Sequence, residues 1–276
     1  MISGIELYTG GGENMNRIFL TKIHGIKDSQ VVNVELSSCG VPKPLIAFDF
    51  DGTVYDSAKT YWLAARHFIG QYTSATRRVP GLDEFKMGVI LSGECFHHWG
   101  LPRRISMEDA WKQYSRIILE VERIKPSKFF PGAIEMLQEV NVSRYIIFVT
   151  ANTVLPVSWI LKKQTGISFD VIVSGVNKSG VLGSLASFHW MHHGGKSFVP
   201  FYFFGDSPKD MKSAKGYSDM VTPVAVMSKA TINGESTRDR KWREKMIDNG
   251  ARGMISYDEI ARAAFGDIEL SASLTI

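Results

Sequence analysis

The sequence predicts an α/β protein: a doubly wound parallel sheet with an inserted, mainly α-helical domain. Two features of the 276 residues predict it. Short, continuous apolar runs, of the kind that form strands buried on both faces, alternate with amphipathic helical patterns, as expected for a parallel sheet covered on both sides. One segment, residues 58–128, interrupts that alternation with helical patterns alone.

Taken in order, residues 1–43 read as an appendage. GGGEN at 10–14 is a flexible stretch, and RIFLTKIHGI and VVNVEL are expected to pair as a hairpin around Lys27-Asp28. The first core strand is Leu45–Phe50. The insertion then carries AKTYWLAARHFIGQY, LDEFKMGVILSGECFHHW and SMEDAWKQYSRIILEVERI, all with helical spacing. The core resumes with PGAIEMLQEV, a helix opened by Pro-Gly with Ile134, Met136 and Leu137 inward, followed by the strand YIIFVT at 145–150. VLPVSWILKKQTG is a helix stopped by glycine, DVIVSG at 170–175 a third strand, and KSGVLGSLASFHWMHHGG a helix closed by a glycine pair. VPFYFFGD at 199–206 and TPVAV at 222–226 are the remaining strands, and STRDRKWREKMIDNG is an amphipathic helix with an exposed face. The core thus comprises 44–57 and 129–276, with the helical domain at 58–128.

Composition narrows the function classes. An apolar fraction of 44% and a charged fraction of 22% are those of an ordinary soluble globular protein. The formal charge of +4 is spread along the chain, which favours small anionic substrates over nucleic acid. Cys39 and Cys95 stand far apart, so a disulfide scaffold is not expected and a reducing compartment is. No apolar run reaches the roughly 18 residues that span a bilayer, and the N-terminus lacks the basic-then-apolar pattern of a secretory signal. The expectation is a cytoplasmic protein without a membrane partner, its oligomeric state open.

Chemistry-bearing residues cluster at the ends of the apolar runs, where a parallel sheet gathers its active groups. The first run ends in Asp49 and Asp51, followed by Gly52-Thr53; the second ends in Thr150, Ala151 and Asn152. Lys178 follows the third, in SGVNKSG, and the fourth leads into GDSPKD with Asp206 and Asp210. Carboxylates crowded within about 4 Å would repel by on the order of 4 kcal/mol per close pair at an effective dielectric of 20. A hard divalent cation removes that cost, and Mg²⁺ prefers one or two carboxylates, waters and a phosphate oxygen. One carboxylate can then attack phosphorus, a neighbouring acid can protonate the leaving oxygen, and a hydroxyl and an ammonium can hold the phosphoryl oxygens.

Each residue also has a plainer reading. DFDGT alone fits a strand ending in a solvated turn, Thr150 a strand-end hydroxyl bonded to backbone, Lys178 a solvated helix start, and Asp210 an acid opposing a helix dipole. Their joint order is what favours the chemistry. FHWMHH, with His189, His192 and His193, and the group Cys95, His97 and His98 fall short of a zinc ligand set. Arg77, Arg78, Arg103 and Arg104 are candidates to meet a substrate's anionic tail from the inserted domain, and each reads equally as solvated surface.

DFDGT, a strand ending in Thr150, a lysine and GDSPKD, in that order, resemble the haloacid dehalogenase superfamily, specifically its phosphatase branch. The resemblance runs from about residue 44 to 265 and includes FFPGAIEMLQEV before the second motif and SAKG after the fourth. It implies a Rossmann-like core with a helical cap between the first two motifs, at 58–128. It implies Asp49 as nucleophile and Asp51 as general acid/base, with the Asp51 backbone carbonyl also on Mg²⁺. Thr150, Ala151, Asn152 and Lys178 would bind the substrate phosphate, with Lys178 balancing charge. Asp206 would be the acidic metal ligand beside Asp49 and Asp51, and Asp210 would support the lysine or the metal's water shell. Lys178 is not followed by the proline often found there, while Lys196 lies too close ahead of Asp206. Residues 1–43 have no counterpart in the family.

The implied activity is Mg²⁺-dependent hydrolysis of a small phosphorylated metabolite through an aspartyl-phosphate. A phosphomutase of the same superfamily and a catalytically idle binding or regulatory protein are the alternatives. A carbon–halogen hydrolase fits less well, because that branch uses neither the metal nor the second aspartate.

Overall fold

The computed structural model describes residues 5–9, 18–23, 45–73, 79–86, 93–143, 145–152, 155, 157–173, 177–192, 201–256 and 259. The chain divides into two compact units, Met1–Val54 with Phe130–Ile276, and Tyr55–Phe129. In the first unit β1 (Ile5–Thr9) and β2 (Ile18–Ile23) form an antiparallel pair. The hairpin partner expected at 31–36 lies outside the described residues, and the described partner of β2 is β1.

The remaining strands are β3 (Leu45–Phe48), β4 (Tyr145–Thr150), β5 (Asp170–Val173), β6 (Phe201–Gly205), β7 (Thr222–Met227) and β8 (Gly253–Ser256). They form one parallel sheet in the order β5-β4-β3-β6-β7-β8. From β3 the chain moves outward through β4 to β5, then returns to lay β6 on the other edge of β3 and moves outward again. The direction of winding reverses between β3 and β6, and the carboxyl ends of those two strands mark the switch point where doubly wound folds bind ligands. β8 was not among the expected strands: GMIS is short and opens on glycine, and it gains its place by pairing along β7.

The second unit is built on α1 (Ala58–Gly70), α2 (Leu82–Lys86), α3 (Gly93–His98) and α4 (Met107–Ile124). Its interior is aromatic. The Phe96 ring meets Phe68, Trp99, Trp111 and Tyr114 at centroid distances of 5.2, 5.9, 5.1 and 5.1 Å. The buried Tyr114 hydroxyl donates to the Tyr61 carbonyl at 3.0 Å, so its polar end is satisfied. Tyr55 and Phe129, the first and last residues of the unit, form an antiparallel bridge.

The sheet is flanked by α5 (Ala133–Ser143), α6 (Val157–Thr165), α7 (Lys178–His192), α8 (Pro208–Lys215), α9 (Lys229–Asn233) and α10 (Thr237–Asp248). Among the described side chains of α5, Ala133, Met136 and Leu137 are buried and Ile134 is half-buried. The spacing of three and four therefore starts from the alanine rather than from Ile134. All four residues of β3 are buried, as a central strand requires. Leu45, Ala47, Ile147, Phe201 and Phe203 share a core with Val181, Leu182 and Leu185 of α7 and Ala214 of α8. Phe48 stacks against Phe204 at 5.0 Å and lies 5.9 Å from Phe148. Among the described residues, no helix is long and apolar enough to cross a membrane.

Candidate active site

Strand register brings the first two carboxylates together. Phe48 pairs with Phe204, and the Asp49 N–H donates to the Phe204 carbonyl at 2.8 Å, so the Asp49 side chain emerges beside the turn that carries Asp206. The loop after Asp51 must then pass directly against Asp206. Gly52 has φ of 80°, and a Cβ there would stand 2.1 Å from Asp206 Oδ2, so glycine is required on both counts. One residue on, the Thr53 hydroxyl donates to Asp206 Oδ1 at 3.3 Å.

Helix termini supply the other charged groups. Ser207 caps α8, its hydroxyl accepting from the Asp210 N–H at 3.3 Å. The Asp210 carboxylate reaches back to accept from the Ser207 N–H at 3.2 Å and from the Ser207 hydroxyl. This reciprocal cap fixes Asp210 while burying it. A Cβ on Gly205 would lie 2.5 Å from the Asp210 Cβ, so that glycine makes room for the same side chain. Across the site, the Asn177 side chain accepts from the Gly180 N–H at 3.0 Å and caps the start of α7. Lys178, the first residue of α7, is buried, and its ammonium donates to Asp210 Oδ1 at 2.6 Å and pairs with Asp49 Oδ1 at 2.9 Å.

Thr150, buried at the end of β4, accepts from the Asn152 N–H at 2.9 Å. The Asn152 amide donates to Asp51 Oδ2 at 2.8 Å, and its carbonyl accepts from the Leu155 N–H at 3.1 Å. Ala151 is exposed at the same strand end.

Electrostatics follow from this crowding. Burial pushes the Asp49 carboxyl up; Lys178 pulls it down and Asp210 pushes it up again, leaving it at about 7. Burial, then Asp210 and Asp49, hold Asp206 well above the usual carboxylate range. Burial alone would lower Lys178, but Asp210 and Asp49 outweigh it and the ammonium is held above its ordinary value. One carboxylate oxygen from each of Asp49, Asp206 and Asp210 lies within 4.8 Å of the others. Three hard oxygen donors set against one ammonium suit a hard divalent cation.

The structure thus brings together Asp49, Lys178, Asp206 and Asp210, and links Asp51 to Thr150 through Asn152. The acidic triple contains Asp210 rather than the Asp51 side chain, which bonds to Asn152 instead. Thr53 and Ser207 were not anticipated. Ser207 did carry a signal, since a serine followed three positions later by an acid is the pattern of a reciprocal cap. Of the other candidates, Arg103 and Arg104 are exposed in the second unit, while Arg77, Arg78 and His193 lie outside the described residues. His189 is buried 5.9 Å from the Phe201 ring.

Fold and site together define a Rossmann-like α/β protein with a carboxylate-rich centre at its switch point. The family model described as haloacid dehalogenase-like hydrolase matches residues 46–218, and the chain belongs to that family. Among solved structures, a haloacid dehalogenase-like family hydrolase from Streptococcus pneumoniae is similar at 17% identity, covering 82% of this chain and 99% of its own, with a TM-score of 0.55. A protein from Lactobacillus delbrueckii subsp. bulgaricus, provisionally assigned as a phosphoglycolate phosphatase, is similar at 14% identity, with 81% and 99% covered and a TM-score of 0.56. A Thermotoga maritima protein provisionally assigned as a beta-phosphoglucomutase is similar at 16% identity, with 82% and 100% covered and a TM-score of 0.53. At these identities the likeness shows the fold. No curated protein matches the chain.

Proposed function

We propose that the chain is a Mg²⁺-dependent phosphatase that hydrolyses a small phosphorylated metabolite through an aspartyl-phosphate on Asp49. The observation that carries this reading is the convergence of the Asp49, Asp206 and Asp210 carboxylates within 4.8 Å, with the Lys178 ammonium bonded to two of them. The family's hydrolase character and the phosphatase name given to one structural neighbour support it.

The donor set fits the metal: Asp49, Asp206 and the Asp51 backbone carbonyl would hold Mg²⁺, with Asp210 behind them. When bound, the cation offsets the carboxylate charge and polarises the phosphoryl group. The Asp49 oxygen attacks phosphorus; the bond to the ester oxygen breaks, and Asp51 gives its proton to the departing alkoxide. Thr150, Lys178 and the backbone at Ala151 hold the phosphoryl oxygens, where charge develops, while the Asn152 N–H is spent on the Thr150 hydroxyl. Asp51, now a carboxylate, takes a proton from water as the water attacks phosphorus. The bond to Asp49 then breaks, restoring the carboxylate and releasing inorganic phosphate. Residues 55–129, inserted directly after this loop, are proposed as the cap that excludes bulk water and carries specificity groups. The cysteine count of two, at positions far apart in the sequence, supports a cytoplasmic setting.

The test is p-nitrophenyl phosphate turnover. Phosphate release is expected with Mg²⁺, with loss to background in EDTA and in Asp49→Asn. Turnover unchanged by EDTA or by Asp49→Asn would contradict the reading, as would inertness toward a panel of phosphorylated sugars, nucleotides and short acids. With a sugar phosphate, an isomerised product in place of free phosphate would favour the mutase.

A further inference from the structure

Asn152 sits in the second motif, where the resemblance gives it a part in holding phosphate, but its side chain is engaged elsewhere. Its amide has two ends, and the backbone decides which faces which way. The Leu155 N–H is a fixed donor, and the Asn152 carbonyl accepts from it at 3.1 Å. Turning the amide over would set its NH₂ against that N–H and its carbonyl against a carboxylate, losing both bonds. The NH₂ is therefore committed to Asp51 Oδ2, at 2.8 Å. The Asn152 N–H meanwhile donates to the Thr150 hydroxyl at 2.9 Å, so one residue ties the loop after β4 to the loop after β3. The two loops are 101 positions apart in sequence.

We propose that Asn152 is a positioning residue for the general acid: its side chain holds the Asp51 carboxyl group in the orientation from which the proton reaches the leaving oxygen. This rests on the phosphatase reading above. An aspartate on a glycine-containing loop has rotamer freedom about two bonds, and a general acid must lie within hydrogen-bond reach of the oxygen it protonates. A donor fixed by the backbone at its other end restrains that freedom without touching substrate.

The test separates leaving groups. Values of kcat/KM report steps up to departure of the alcohol, so they isolate Asp51 as acid from its later work as base. p-Nitrophenolate departs with little help, whereas an alkoxide from an alkyl phosphate needs the proton. Asn152→Ala and Asn152→Ser are measured on both esters, with thermal melting to register any loss of fold. The Ser variant keeps a neutral acceptor for the Leu155 N–H and is too short to donate to Asp51, so it serves where the Ala variant folds poorly. The expected result is a fall in kcat/KM of about 10- to 100-fold on the alkyl ester and less than about threefold on p-nitrophenyl phosphate, part of the 10²–10⁴ that general acids contribute. Equal losses on both esters would overturn the inference and return Asn152 to phosphate binding or structure, as would no loss on either. Inactivity of the unmodified protein on every ester would instead remove the phosphatase reading, and this inference with it.

Discussion

Asp49 is asked to be buried and charged at once, and that conflict is measurable. Burial drives its carboxyl from an ordinary 3.8 up to about 7, even with the Lys178 ammonium beside it. Over that interval the folded, metal-free protein holds a proton that the unfolded chain has released. This group's contribution to stability is therefore full below about pH 4 and is lost as pH rises through about 7. A divalent cation competes with that proton, so its stabilising effect should run the opposite way. Mg²⁺ is expected to raise the melting temperature more at about pH 8 than at about pH 5, and each kcal/mol should appear as roughly 2–4 °C in a chain of this size. Melting curves with and without Mg²⁺ at both pH values check this. Equal shifts at the two would mean that the aspartates are not where the cation binds. Gly52 belongs to the same scale. Its need to be glycine was visible as a turn in DFDGT, but the reason, Asp206 lying 2.1 Å from where a Cβ would be, comes from a residue more than 150 positions away.

At the scale of the element, the start of α8 serves both stability and the site. The reciprocal cap between Ser207 and Asp210 begins the helix and aims the carboxylate that receives Lys178. Ser207→Ala should cost about 1 kcal/mol, the usual worth of an N-cap. Because Asp210 also loses the hydroxyl that braces it, kcat should fall several-fold. Thermal melting together with steady-state kinetics checks both; a stability loss with kcat untouched would make the cap structural only. Elements of this kind were legible in the sequence where one physical signal dominated. Continuous apolar runs marked β3, β4, β6 and β7, since strands covered on both faces leave few alternatives. Weak signals account for the differences: GMIS of β8 is too short to announce itself, and the inward face of α5 begins at Ala133, a quieter apolar signal than Ile134.

For the whole molecule, the decisive event is the reversal of winding between β3 and β6, which sets two strand tips side by side and lets Asp49 and Asp206 meet. The sequence held the order of the motifs, and the alternation of strand and helix held the class of fold. Pairing register, the close passage of Gly52 and the Asn152 bridge to Asp51 are long-range contacts, and local periodicity does not encode them. The central claim is that this junction makes a nucleophile of Asp49. The most direct measurement is to quench the enzyme during turnover with Mg²⁺, reduce it with borohydride, and map the modified peptide by mass spectrometry. An acyl phosphate is reduced by borohydride to the alcohol, so the account predicts homoserine in place of Asp49 and none in unreacted protein. Turnover that leaves Asp49 unmodified, or places the change on another carboxylate, would contradict it.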